Sequence, residues 1–285
     1  MPWTDEGQTI WTFDPDASYG RRMTTVLCVP QWQGSASSKA PQLMAGAHRA
    51  AEIVPAGAVV TVPVLETGGD KVTGIRAFDA LVENQRLTRK ALAAIDDRVI
   101  TIGGDCAVDI PPIAAARALY GDALTVLWID AHPDVYSPQT LPSGAFHGMV
   151  VRALLGDGPA GLTPEQPLTP QQVIIAGERA GDVSEHEYLA KTGLCRYGVD
   201  DLERAFDGLR GPVYVHIDLD VLEPTTFGAT CYPEPNGVQP QRLIDLVSQM
   251  DGIIGAAITE HAPSNDDVNP EEADVIRRLG AALTR

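Results

Sequence analysis

Two short stretches of this chain concentrate side chains able to hold and activate a metal ion. Residues 124–134 (Leu-Thr-Val-Leu-Trp-Ile-Asp-Ala-His-Pro-Asp) end in Asp130, His132 and Asp134. Residues 213–224 (Val-Tyr-Val-His-Ile-Asp-Leu-Asp-Val-Leu-Glu-Pro) carry Asp218 and Asp220 after an apolar run. Side chains two apart on a strand point to the same side, so each stretch presents its acids as one set. Carboxylates crowded together repel one another unless a cation neutralises them. A single Asp at a strand end reads as a helix cap or turn former, but five acidic or imidazole groups at two strand ends read as a metal cluster, with two ions. Oxygen and imidazole donors suit manganese, iron, zinc or magnesium.

Something must bring these stretches together. Both are rich in Val, Ile and Leu, as buried strands of a parallel sheet are. Apolar runs predict strands over residues 24–29, 59–64, 98–102, 124–129, 172–176, 213–217 and 253–259. Helical stretches fall between them, at 41–53, 75–95, 108–119, 147–155, 185–191, 200–206, 240–250 and 270–283. Strand and helix in alternation predict an α/β fold with a mostly parallel sheet covered on both faces. Ligands of such sheets bind outside the carboxyl ends of the strands. Gly103-Gly104-Asp105-Cys106, Asp130 to Asp134, Gly177-Glu178-Arg179, Asp218 with Asp220, and Glu260 all fall there. Residues 1–22 read as an N-terminal extension and 23–285 as a single domain. The Gly/Pro-rich stretch 156–170 reads as a surface loop.

Composition narrows the partners. The 285 residues carry a net charge of −17, against nucleic acid and anionic membranes. The four cysteines, Cys28, Cys106, Cys195 and Cys231, are scattered without metal-finger or disulfide spacing, which suits a reducing, cytoplasmic setting. No apolar run is long enough to span a bilayer, and the acidic start lacks the basic region of a signal peptide. There is no phosphate loop and no Gly-x-Ser-x-Gly elbow.

The motifs Gly-Gly-Asp-Cys at 103–106, Asp-Ala-His-Pro-Asp at 130–134, Ser-Gly-Ala-Phe-His-Gly at 143–148, Asp-Leu-Asp at 218–220 and Thr-Glu-His-Ala-Pro at 259–263, in this order, resemble the ureohydrolase family of arginases, agmatinases and formiminoglutamases. The resemblance runs from about Thr24 to Leu283. It implies a three-layer α/β/α sandwich and a binuclear centre of two divalent ions, manganese first. Asp130 and Asp218 would bridge both ions, Asp134 and Cys106 would complete one, and His132 and Asp220 the other. His147 matches the family's proton-shuttling histidine, and Glu260 the carboxylate that holds the guanidinium. Ser143, Asp182 and Glu185 match substrate-binding positions. The implied reaction is attack of a hydroxide shared by the ions on the amidine carbon of a small guanidino substrate, releasing urea or a urea analogue. A trimer or hexamer is implied too.

The chain departs from that pattern at Cys106, where the family has His. Four aspartates and two divalent ions sum to zero charge, and a thiolate makes the centre −1. Its ions become weaker Lewis acids, and sulfur admits zinc or iron. A less basic substrate would compensate, as in the branch that hydrolyses Nω-hydroxy-L-arginine to hydroxyurea and shows a cysteine of this kind. Tyr136, Leu141 and Ala145 stand where arginases carry polar residues for the substrate carboxylate, which places plain arginine in doubt. Residues 228–235, with Cys231 and Tyr232, read either as a pocket-lining loop or as an ordinary turn. A metal-poor binding homologue is the rival reading. A two-metal phosphoesterase is disfavoured, for want of an Arg or Lys cluster near the motifs.

Overall fold

The computed structural model describes residues 23–264 and 269–285; the expected extension at 1–22 lies outside them. Eight strands form one parallel sheet: β1 (Thr24–Val29), β2 (Ala58–Thr61), β3 (Arg98–Gly103), β4 (Thr125–Ile129), β5 (Val173–Ala176), β6 (Cys195–Tyr197), β7 (Val213–Asp218) and β8 (Ile253–Thr259). Their order across the sheet is β2-β1-β3-β8-β7-β4-β5-β6. Among the described residues the α-helices are α1 (Gln42–Ile53), α2 (Phe78–Leu92), α3 (Ile110–Tyr120), α4 (Val150–Leu154), α5 (Val183–Thr192), α6 (Pro240–Ser248) and α7 (Pro270–Leu283). The expected α/β/α sandwich is therefore the observed architecture.

Alternation along the strands builds two cores. Val213, Val215 and Ile217 of β7 pack with α1, α6 and α7, in a layer that includes Ala47, Leu243, Val247, Ile276 and Leu279. Tyr214, one residue out of phase, packs on the opposite face with Trp128, Ile110, Ile113, Val150 and Leu189. Every residue of β7 is buried, as expected of a strand covered on both sides. Among the described residues, no helix is long and apolar enough to cross a membrane.

Differences from the sequence expectations have local causes. The second strand stops at Thr61 rather than 64, beside Pro63, which has no N–H for a ladder. The helix expected from 75 begins at Phe78, because Ala77 takes a left-handed conformation at φ 51°. Residues 200–206 hold only a 3-10 turn, Leu202–Ala205. The stretch from 147 divides into a 3-10 turn, Phe146–Met149, and the short α4. Strand β6 is three residues long and mostly exposed, so it left no apolar run to detect.

Two glycines let backbone segments meet beside the sheet edge. A Cβ on Gly104 would sit 1.6 Å from the Gln31 carbonyl oxygen, and one on Gly46 would sit 1.7 Å from that of His261. Gly104→Ala and Gly46→Ala should each lower unfolding stability by at least about 2 kcal/mol, since backbone must shift. Gly193→Ala, at φ 70° with open space around it, should cost only about 1 kcal/mol. Denaturant midpoints at constant slope measure the difference. Equal losses at all three positions would refute the steric account.

Candidate active site

The strand order turns residues far apart in sequence into neighbours. Cys106 follows β3, Glu260 follows β8, Asp218 ends β7 and Asp130 follows β4, and these four strands are adjacent in that order. Asp218 lies in register with Thr259, and Ile217 with Ile129. The carboxyl edge of the central sheet therefore gathers one donor after another, as expected for an open parallel sheet.

Three overlapping donor groups result, each with its atoms within 4.8 Å of one another: Cys106, Asp218 and Glu260; Asp130, His132 and Asp220; and Cys106, Asp130 and His216. The Cys106 Sγ is 3.0 Å from Asp218 Oδ2. His132 Nδ1 is 3.1 Å from Asp220 Oδ2 and 3.5 Å from Asp130 Oδ1. Of the six expected metal ligands, these groups unite Cys106, Asp130, His132, Asp218 and Asp220. Asp134 is buried close by but belongs to none of the groups, and its Oδ2 has no hydrogen-bond partner.

Backbone geometry aims several of these side chains. His132 N donates to Asp130 Oδ1 (2.7 Å), Trp128 Nε1 donates to Asp130 Oδ2 (3.0 Å) and Asp220 N donates to Asp218 Oδ1 (2.8 Å). Asp134 and Glu260 take φ of 53° and 64°, a region that non-glycine residues rarely adopt and that clusters at functional sites. Both oxygens of Glu260 are buried without a hydrogen-bond partner.

Electrostatics mark the crowding. Burial, and then the neighbouring charge of Asp220, push Asp218 well above the usual carboxylate range. Burial and then Asp130 do the same for Asp134, and burial and then Asp220 raise Asp130. The Cys106 thiol is raised well above its ordinary value by burial and then by Asp218. Burial opposes charge on His132, yet Asp220 and Asp130 raise it well above an ordinary histidine. Orphaned buried oxygens and mutually repelling acids fit divalent cations: Cys106, Asp130, His132, Asp134, Asp218 and Asp220 offer the oxygen, nitrogen and sulfur donors such ions take.

The remaining expected residues ring this cluster. His147 Nδ1 is 3.5 Å from Glu260 Oε1, and its ring stacks on Tyr232 with centroids 5.1 Å apart. Tyr232 also meets His132 edge-on at 6.4 Å, so the loop at 228–235 does line the site. Ser143 is exposed and its Oγ accepts from Ala145 N at 3.3 Å. Asp182 and Glu185 form the capping box of α5: Glu185 N donates to Asp182 Oδ1 at 3.0 Å and Asp182 N to Glu185 Oε2 at 3.3 Å. Glu185 also accepts from Val135 N, and burial raises it to about 7.

Two strand-end residues outside the expected ligand set support the cluster. Asp105 accepts from Gln31 Nε2 (3.0 Å), Gly34 N (2.8 Å) and Ala107 N (3.0 Å), while Gly34 O receives His147 N at 3.1 Å. It thereby ties the β3 end to the His147 turn. Arg179 donates to the carbonyls of Asp220 (2.9 Å), Glu234 (2.8 Å) and Pro235 (3.0 Å) and straps the Tyr232 loop to the end of β7. His216, two residues before Asp218 on β7, is the donor that the sequence did not single out.

Comparison with known proteins identifies similar chains. A profile of the Arginase family matches residues 33–284. The arginase of Staphylococcus aureus (strain MSSA476) is 27% identical over 189 residues, covering 58% of this chain and 61% of that protein. The chain thus spans less than two thirds of that relative's length. The N(omega)-hydroxy-L-arginine amidinohydrolase of Streptomyces lavendulae is 26% identical over 252 residues, covering 85% of this chain and 90% of that one. Entamoeba histolytica arginase, solved with L-ornithine, superposes with a TM-score of 0.80 at 22% identity over 91% of this chain and 97% of that one.

Crowded acids give a sign-definite expectation. A carboxyl raised in the folded state costs stability progressively as pH climbs from its ordinary value near 4 towards its folded value. In chelator, Asp218→Asn should melt higher than the unsubstituted protein at pH 8, with a smaller gap at pH 5. With manganese added the order should reverse, because only the unsubstituted protein gains from binding. Thermal melts with and without metal measure this. A metal-free variant that is less stable at pH 8 would refute the repulsion.

Proposed function

The chain belongs to the Arginase family, and from that premise we propose that it hydrolyses a C–N bond of a small guanidino compound at a centre of two divalent ions. The observation that carries the reading is the convergence of Cys106, Asp130, His132, Asp218, Asp220 and Glu260 from four adjacent strand ends. Manganese is the first expectation, with zinc or iron admitted by Cys106. A homo-oligomeric assembly and a cytoplasmic setting belong to the same reading.

Cys106, Asp130, Asp134 and Asp218 would hold one ion, and Asp130, Asp218, His132 and Asp220 the other. When bound, such a pair lowers the pKa of a shared water and polarises the substrate. The remaining chemistry is the protein's own. Glu260, with both oxygens lacking hydrogen bonds, accepts charge-assisted hydrogen bonds from a guanidinium. His147, beside Glu260 and held flat by Tyr232, passes a proton to the leaving amine. Ser143, Asp182 and Glu185 would meet the substrate's far end. Because the two acids also cap α5, any amino group they receive competes with backbone N–H donors.

A second reading, hydrolysis of an N-hydroxyguanidine to hydroxyurea, is favoured by Cys106. A thiolate weakens the Lewis acidity of the centre, and an N-hydroxyguanidine is less basic than a guanidine and easier to attack in its neutral form. The Streptomyces lavendulae amidinohydrolase also aligns over more of this chain than the Staphylococcus aureus arginase does.

The deciding measurement is release of urea and hydroxyurea from arginine, Nω-hydroxy-L-arginine, agmatine and guanidinobutyrate, with manganese, zinc and iron separately. One of these pairings should turn over, and none doing so would refute the proposal. His147→Asn should lower kcat by about 10²–10⁴-fold with KM changed only a few-fold, as for loss of a proton donor. Tyr232→Ala should lower kcat by roughly tenfold, the cost of about 1.4 kcal/mol in orienting that imidazole. An unchanged kcat in either variant would remove that residue from the mechanism.

A further inference from the structure

Beneath the candidate ligands lies a buried constellation that the proposed reaction does not use. His216 of β7 is fully enclosed. Its ring stacks on Trp128 with centroids 3.4 Å apart and planes 3° apart. Nδ1 is 2.9 Å from Asp109 Oδ2, and the Tyr214 hydroxyl donates to Asp109 Oδ1 at 2.5 Å. An ionised carboxylate only accepts, so Nδ1 carries the hydrogen and Nε2 keeps its lone pair. A carboxylate on one imidazole nitrogen, fixing the tautomer and raising the basicity of the other, is the outer-shell arrangement of metal-binding histidines.

The free lone pair faces the floor of the site. A ring nitrogen of His216, Cys106 Sγ and an Asp130 carboxylate oxygen lie within 4.8 Å of one another, and all three residues are fully buried; with Nδ1 on Asp109 and Nε2 sharing the Thr259 hydroxyl with Cys106, Nε2 is the nitrogen turned to this group. The Thr259 hydroxyl sits between the first two, 3.4 Å from Nε2 and 3.5 Å from Sγ, with the Ile217 carbonyl also at 3.4 Å. That hydroxyl has one proton for three acceptors. As a thiol, Cys106 directs its own hydrogen to Asp218. As a thiolate it would draw the Thr259 proton and leave Nε2 bare in the core, which is unfavourable for a buried acceptor. A cation shared by sulfur and nitrogen removes that cost.

We propose that His216 Nε2, Cys106 Sγ and the Asp130 carboxylate bind one divalent ion together, a nitrogen–sulfur–oxygen site that selects zinc over manganese. The proposal rests on the two-ion reading above and changes the identity of one position. Thiolate and imidazole donors suit zinc. The loss of a long ligand side chain at position 106 is then answered by one reaching in from β7. The two positions of the centre would differ in chemistry, one rich in soft donors and the other built on His132 and carboxylates.

The test counts ligands on the zinc-loaded full-length protein by X-ray absorption and measures affinity by chelator competition. Two zinc ions should share one sulfur and two imidazoles. His216→Asn should lose one imidazole and weaken one ion by at least about 100-fold, while His147→Asn keeps both imidazoles. Asp109→Asn, which loosens only the Nδ1 anchor, should weaken the same ion by about 10–100-fold. Two ions with a single imidazole in the unsubstituted protein, or an unchanged count in a folded His216→Asn, overturn the assignment and leave the two-ion centre standing. No bound ion at all overturns both. If His216→Asn fails to fold, the unsubstituted count together with His147→Asn still decides.

Discussion

Like charges forced into one water-poor volume are the constraint on which the rest of this structure depends. Asp130, Asp134, Asp218, Asp220 and Glu260 are all buried at one edge of a parallel sheet. Isolated buried carboxylates cost several kcal/mol each unless neutralised or paired. The described residues supply little neutralisation: the basic side chains beside these acids are His132, His147 and His216, and Arg179 spends its donors on carbonyls. Such a cluster fits an external cation, which would neutralise the charges that destabilise the metal-free protein.

The sheet makes the crowding possible. Chain order 3, 4, 7, 8 becomes spatial order 3-8-7-4, so strands inserted late in the sequence fill the centre and deliver Asp218 and Glu260 between Cys106 and Asp130. Strain is placed at the same edge, in the left-handed backbones of Asp134 and Glu260. Such conformations persist only where surrounding packing over-determines them. Here the packing is a sheet buried on both faces by helices, with glycine at 46 and 104 allowing the neighbouring backbones to close in.

Around this cluster three residues give the site its own character. Cys106 brings sulfur and a negative charge, His216 brings an imidazole from beneath, and Tyr232 walls the open side against His147 and His132. Sulfur lowers the electrophilic strength of the centre, and an aromatic wall narrows the space over it. Asp182 and Glu185, by contrast, are occupied by each other's backbone N–H groups in the capping box of α5.

The strand cores, the alternation of strand and helix, and the aspartate motifs were legible in the residues, because burial on both faces demands continuous apolar runs and metal binding demands acids at their ends. Short or exposed elements such as β6 were not, since three residues with no apolar pattern carry no periodicity. Nor were the partners of those motifs: nothing local distinguishes His216 from core filler, Asp105 from a turn former, or Tyr232 from an ordinary loop aromatic. The sequence alone determined which donors exist and that they lie at strand ends, since side-chain chemistry and period-two alternation are local properties. Only the tertiary structure decided which donors meet, through the order in which strands pair across the sheet. In the central strands that order follows from pairing among residues 40 (Val213 with Ile253) to 156 (Ile100 with Ala256) positions apart, which no short window of sequence contains.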